Sequence, residues 1–170
     1  MWKSNHDWSV KVLAVGDTDG DGKAELYSGL EGTDNSTIIY RGDGESIGTR
    51  IYGRSYSWTL SAMATGDVDG NGLDELYVGL RGTDGGTSIY SGNGTSIGSR
   101  FYGKNFYWTI NALAAGDVDG DGDDELFLGF NSDGGSAVYR TDSDARSMRR
   151  ISGPTSGMDV FSLAVYDDEY

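Results

Sequence analysis

Asp17-Thr18-Asp19-Gly20-Asp21-Gly22-Lys23-Ala24-Glu25 recurs as Asp67-Val68-Asp69-Gly70-Asn71-Gly72-Leu73-Asp74-Glu75 and again as Asp117-Val118-Asp119-Gly120-Asp121-Gly122-Asp123-Asp124-Glu125. The copies begin at residues 17, 67 and 117, a fixed spacing of 50. Oxygen side chains at loop positions 1, 3, 5 and 9 converge when a tight turn wraps the backbone round one point. Such a point suits a hard cation that takes roughly 6–8 oxygen ligands, Ca²⁺ before Mg²⁺. The ligand candidates are therefore Asp17, Asp19, Asp21 and Glu25; Asp67, Asp69, Asn71 and Glu75; and Asp117, Asp119, Asp121 and Glu125. About three Ca²⁺ per chain are expected, in a structural role, because no histidine or other base accompanies the loops. An EF-hand begins the same way but needs a bidentate Glu at loop position 12. Here that position holds Ser28, Val78 and Leu128, so the EF-hand is rejected.

Working outward, the repeat unit runs over residues 8–57, 58–107 and 108–157, with a partial fourth unit at 158–170, all within one domain, 1–170. The first two units are identical at more than half of their positions in gapless register. The third loses one residue near Asn131–Tyr139 and regains it before Arg150. Each unit reads as four short strands. In the second unit, strand one is Leu60–Thr65, apolar on both faces and rich in small residues, as a doubly buried strand should be. Val10–Val15 and Ile110–Ala115 match it. Strand two is Glu75–Leu80, strand three Thr87–Tyr90, and strand four lies about Ser99–Gly103, extending as far as Tyr107 at most. Glycine-rich turns separate them. Four-stranded antiparallel units of this length in tandem predict an all-β fold of three propeller blades plus one extra strand. A β-sandwich is the competing architecture, but it does not usually keep so strict a period.

Composition narrows the function. The chain has 170 residues, a formal charge of −14 and no cysteine, so neither a disulfide nor thiol chemistry is available. The acidity argues against a nucleic-acid backbone as partner. No window resembles a signal peptide or membrane span, so no membrane insertion is expected. One histidine and no nucleophile–base set make an enzyme improbable.

The Gly-Asp-x-Asp-Gly-[Asp/Asn]-Gly-x-x-Glu-Leu pattern at Gly16, Gly66 and Gly116 resembles the FG-GAP/VCBS repeats, the calcium-binding blades of integrin-α-type propellers. The Phe-Gly…Gly-Ala-Pro signature is absent, so the VCBS-type variant fits better. The resemblance implies a fifth ligand for each loop, the backbone carbonyl at position 7 (Lys23, Leu73, Asp123). It also implies an extracellular or cell-surface setting and a role in adhesion, lectin-like recognition or as an accessory domain of a secreted enzyme.

A second set repeats with the units. Arg50, Tyr52, Tyr56 and Trp58 match Arg100, Tyr102, Phe106 and Trp108. Packing between blades is one reading. The other is a carbohydrate site, where aromatic faces stack on sugar and Arg donates to its oxygens. A protein ligand is equally open. Arg41-Gly42-Asp43 spells an integrin-recognition tripeptide, but its counterpart Ser91-Gly92-Asn93 reads as a plain hairpin turn. Asn35 and Asn93 begin glycosylation sequons. Three blades leave open edges, so either the chain is a fragment of a longer protein or copies assemble; a homo-oligomer is expected, with a second chain completing a six-bladed ring. The segment Val160–Val165 matches a first strand and is expected to latch that ring.

Overall fold

The computed structural model describes residues 7–55, 57–82, 84–105, 108–132, 135–141, 148–155, 160 and 162–165. Twelve strands form three four-stranded antiparallel sheets in simple meander order. The first sheet contains β1 (Trp8–Gly16), β2 (Glu25–Gly32), β3 (Thr37–Gly42) and β4 (Thr49–Ser55). The second contains β5 (Trp58–Gly66), β6 (Glu75–Gly82), β7 (Thr87–Gly92) and β8 (Arg100–Asn105). The third contains β9 (Thr109–Gly116), β10 (Glu125–Ser132), β11 (Gly135–Thr141) and β12 (Met148–Thr155). These are the expected blades. The strands run one or two residues beyond the apolar stretches because the ladder includes flanking glycines and the conserved-phase tryptophans, as in Trp58↔Gly82. A bulge interrupts the first strand of every sheet, between Val10 and Val12 and between Leu60 and Ala62, and opposite Gly129/Phe130 in the third.

The first strands stand side by side, β1 beside β5 and β5 beside β9. Two apolar cores result. One lies between sheets one and two and includes Ala14, Tyr27, Ile39, Leu60, Met63 and Leu76. The other lies between sheets two and three and includes Ala62, Ala64, Tyr77, Ile110, Leu113 and Leu126. The strand β5 feeds both, with Leu60 and Met63 toward one neighbour and Ala62 and Ala64 toward the other. Glycine sets the closeness of approach. A Cβ on Gly29 would collide with Leu60, and one on Gly66 with Ala115 and Asp124. Side chains also cross the gaps: the Thr37 hydroxyl donates to the Trp58 carbonyl at 2.9 Å, and Thr87 to that of Trp108 at 2.8 Å.

Two expectations need correction. The strand β1 is not buried on both faces. Val10, Leu13 and Val15 are 59%, 55% and 59% exposed, because no other sheet among the described residues packs on that face. Among the described residues of the fourth unit, 160 and 162–165 belong to no sheet. They lie instead along the third sheet, Val160 over Gly129 and Val165 over Gly116.

The contrast between buried and exposed positions is testable. Ile110→Ala should destabilise the chain by about 2–5 kcal/mol, the usual cost of emptying a core site. Val15→Ala should cost about 0.5 kcal/mol or less. Urea denaturation of the two variants would check this.

Candidate metal centre

Each nonapeptide joins the first two strands of its sheet, so all three loops occur at the same end of their blades. Carboxylate oxygens of Asp17, Asp19, Asp21 and Glu25 lie within 4.8 Å of one another. Asp67, Asp69 and Glu75 do the same, as do Asp117, Asp119 and Glu125. The position-9 glutamates sit at the start of β2, β6 and β10, and Glu25 and Glu125 are buried.

Backbone amides prepare the turns. Asp17 accepts from the Gly20 amide at 2.7 Å and the Gly22 amide at 2.9 Å, and Asp117 accepts from Gly120 and Gly122 at the same distances. Those two amides hold the Asp117 carboxyl below its ordinary pKa. Asp67 accepts from Asn71 and Gly72. Gly20 and Gly22 have φ of 74° and 82°, a conformation that favours glycine. Position 5 plays two parts. Asp21 accepts from the Lys23 amide, Asn71 from Leu73 and Asp121 from Asp123. Asp21 also joins its acidic cluster, whereas Asp121 stands outside the third. Asn71 meets Glu75 through its amide nitrogen at 3.4 Å.

Crowded carboxylates raise one another's pKa unless positive charge offsets them. Two loops contain such charge. Arg41 on β3 pairs with Asp19 and, at 3.1 Å, with Glu25. Arg140 on β11 pairs with Asp119 at 2.6 Å and Glu125 at 3.2 Å. The hydrogen bond from Arg41 holds the Asp19 carboxyl low. The register places Arg41 opposite Tyr27, Ser91 opposite Tyr77 and Arg140 opposite Phe127. The second loop thus has serine where the others have arginine. Its Glu75 carboxyl is pushed up to about 7, by burial first and then by Asp69 and Asp67. Its neighbour Tyr77 is raised too, chiefly by burial.

Position 8 of the second and third loops ties each to the loop of the blade before it. The Asp17 amide donates to the Asp74 carboxylate at 2.9 Å, while the Asp74 amide donates to the Asp17 carbonyl at 3.1 Å. Asp67 and Asp124 repeat the exchange at 3.0 and 2.8 Å. Position 7 leans the same way: Leu73 reaches over Gly20, and the Asp123 carboxylate over Gly70. Burial first, then Asp121 and Asp67, raise the Asp123 pKa. Asp123 therefore faces the second loop with its side chain, a placement that a position-7 carbonyl role does not anticipate.

A model of the FG-GAP-like repeat matches the chain twice, over residues 17–78 and 67–128. The chain belongs to the FG-GAP-like repeat family. Each match starts at one acidic loop and ends just beyond the next, so the family unit spans the joint between two blades. No match was found among curated proteins. The all-oxygen donors of these FG-GAP-like loops fit a hard divalent cation, and the three clusters could hold one each.

The other candidates separate. Tyr52 and Trp58 pack on the first core, Tyr102 and Trp108 on the second. Arg50 and Arg100 are exposed, and Tyr56 and Phe106 lie outside the described residues. Trp108, Phe130 and Tyr139 meet edge to face, with centroids 5.4–6.4 Å apart. Between the first two blades the equivalent space is a cavity of ≈ 260 Å³ walled by Tyr52, Trp58, Tyr90 and Leu80. Arg41 of the Arg-Gly-Asp tripeptide is turned onto the first loop, and Asp43 caps its own turn through the amides of Glu45 and Ser46.

Sequence reading missed Arg41 and Arg140 as counter-ions and Asp74 and Asp124 as interblade clamps. Asp124→Ala removes the acceptor of the Asp67 amide and should cost about 1–3 kcal/mol, the usual penalty for a stranded partner. Thermal and urea unfolding would measure it.

Proposed function

We propose that this FG-GAP-like chain is a non-enzymatic β-propeller module for ligand binding or adhesion, held in shape by Ca²⁺ in its three acidic loops. The observation that carries the reading is the recurrence of one carboxylate cluster at one end of every blade. Calcium would be held by the position-1, -3 and -9 carboxylates, with Asp21 as well in the first loop. It supplies positive charge that lets those groups stay ionised side by side. An ion bound only by the native state at 100-fold over its dissociation constant adds about 2.7 kcal/mol per site. Completion of a six-bladed ring by a second copy belongs to the same reading, supported by the open apolar face of β1. An extracellular or cell-surface location is part of it as well. Among the described residues no helix is long and apolar enough to cross a membrane.

A second reading, carbohydrate recognition, is favoured by the cavity between the first two blades. Tyr52, Trp58 and Tyr90 line it with aromatic surface, and Ser96 adds a hydroxyl at the rim. The corresponding space between blades two and three holds Phe130 where the first has Leu80 and is narrowed to ≈ 110 Å³, so the wider pocket is the one expected to bind.

Calcium titration after EDTA treatment, followed by calorimetry and thermal melting, tests the first reading. Saturable binding with a rise in Tm is expected; an unchanged Tm and no binding heat would refute it. Arg41→Ala and Arg140→Ala remove the built-in counter-ions of loops one and three, so each should widen the Tm gap between EDTA and Ca²⁺. Loss of glycan-array signal in Trp58→Ala, with Trp108→Ala unaffected, would decide for the second reading.

A further inference from the structure

Three faces in this chain receive an inner segment, and the three share one chemistry. On the first sheet, Leu60 covers Gly29 and Thr65 covers Gly16, with the Thr65 hydroxyl donating to the Val15 carbonyl at 2.6 Å. On the second, Ile110 covers Gly79 and Ala115 covers Gly66. On the third, Val160 covers Gly129 and Val165 covers Gly116. The donors keep the 50-residue spacing throughout: 60, 110 and 160, then 65, 115 and 165. Val160 and Val165 thus stand where β9 stands one blade earlier.

The third face has an additional grip. The Val160 amide donates to the Asn131 side-chain oxygen at 2.8 Å, and the Asn131 amide nitrogen donates back to the Val160 carbonyl at 3.3 Å. Ser136 steadies that side chain at 3.0 Å. Ser162 to Val165 alternate exposed and half-buried, as a strand lying on a surface does, and half-buried Val160 is out of that phase by one residue, as Leu60 is from Met63 across the bulge of β5.

The series has a fourth donor. Val10, Leu13 and Val15 precede Leu60, Met63 and Thr65 by 50 residues, yet they are exposed, with a complete sheet behind them. The strand β1 is a donor without an acceptor. The third sheet is an acceptor occupied by a segment that belongs to no sheet. The blade-to-blade interface formed twice within the chain would continue if β1 of a second copy took that face.

We propose that residues 160–165 are a built-in stand-in for β1, holding the third sheet's face until β1 of a second copy displaces them, so that this segment restrains copy-to-copy assembly. The proposal rests on the reading that a second copy completes the array. The seam is suited to exchange. Asp74 and Asp124 clamp the loops that precede them, but the equivalent residue of the first blade is Ala24. A β1 docked on another copy brings apolar contact and no carboxylate for the Asp117 amide, so a short segment can compete with it.

The test is the dimer dissociation constant of the full chain in Ca²⁺, by sedimentation velocity over a concentration series. A Val160→Asp/Val165→Asp variant should dimerise about tenfold more tightly than the wild type, and Asn131→Ala should move in the same direction without adding charge. Ala24→Asp, which restores the clamp at the seam, should also tighten association about tenfold, the effect of one charge-assisted hydrogen bond. Leu13→Asp should abolish association in every background. Circular dichroism melts confirm that each monomer is folded. Association of the wild type with no tightening in the Val160/Val165 and Asn131 variants overturns the stand-in while leaving the ring intact. Weaker association in those variants also overturns it, making the segment a latch donated in trans. No association of any folded variant overturns both the stand-in and the ring.

Discussion

Carboxylates crowded into nine residues need positive charge within reach, and this requirement organises each blade. In the first and third loops an arginine from the third strand reaches across the sheet to a position-3 aspartate and the position-9 glutamate. The second loop has Ser91 at that place, and burial drives Glu75 toward the protonated form. Its compensations point the other way: Asn71 has one charge fewer, yet Asp123 brings a carboxylate over from the next blade. Of the three clusters, the second therefore has the least built-in counter-charge among the described residues. Repeats of one motif do not have the same electrostatics, because part of the counter-charge sits outside the motif.

The same loops are the joints of the array. Asp67 offers its carboxylate to the acidic cluster and its amide and carbonyl to Asp124. Anything that steadies the Asp67 turn therefore steadies the contact between blades two and three. Glycines at the closest approach let the first strands pack nearly backbone to backbone, and the cores on either side of β5 fill the remaining space. A cation held by the Asp67 cluster would be coupled to blade packing through shared residues rather than through distant motion.

Much of this was legible in the sequence. Strict periodicity placed the strands and the acidic loops, since a copied unit must repeat its turns and its core face. What was hidden depended on neighbours. Arg140 escaped because the residue lost in the third unit shifts it by one from the gapless alignment, so that Thr141 falls opposite Arg41. Asp74 and Asp124 looked like surface acids, since Ala24 breaks their pattern. The exposure of Val10, Leu13 and Val15 could not be read from their apolar character, which is that of a strand with sheets on both sides; the sequence does not say on which side a neighbour is missing. The aromatic set was half readable: Tyr52, Trp58, Tyr102 and Trp108 do gather between blades, but the arginines beside them point into solvent.

The carboxylate clamps run in one direction along the chain. Each is donated by a later blade to the loop of an earlier one, across 57 residues in both cases. Synthesis from the N-terminus therefore presents each of these loops 57 residues before the carboxylate that pins it.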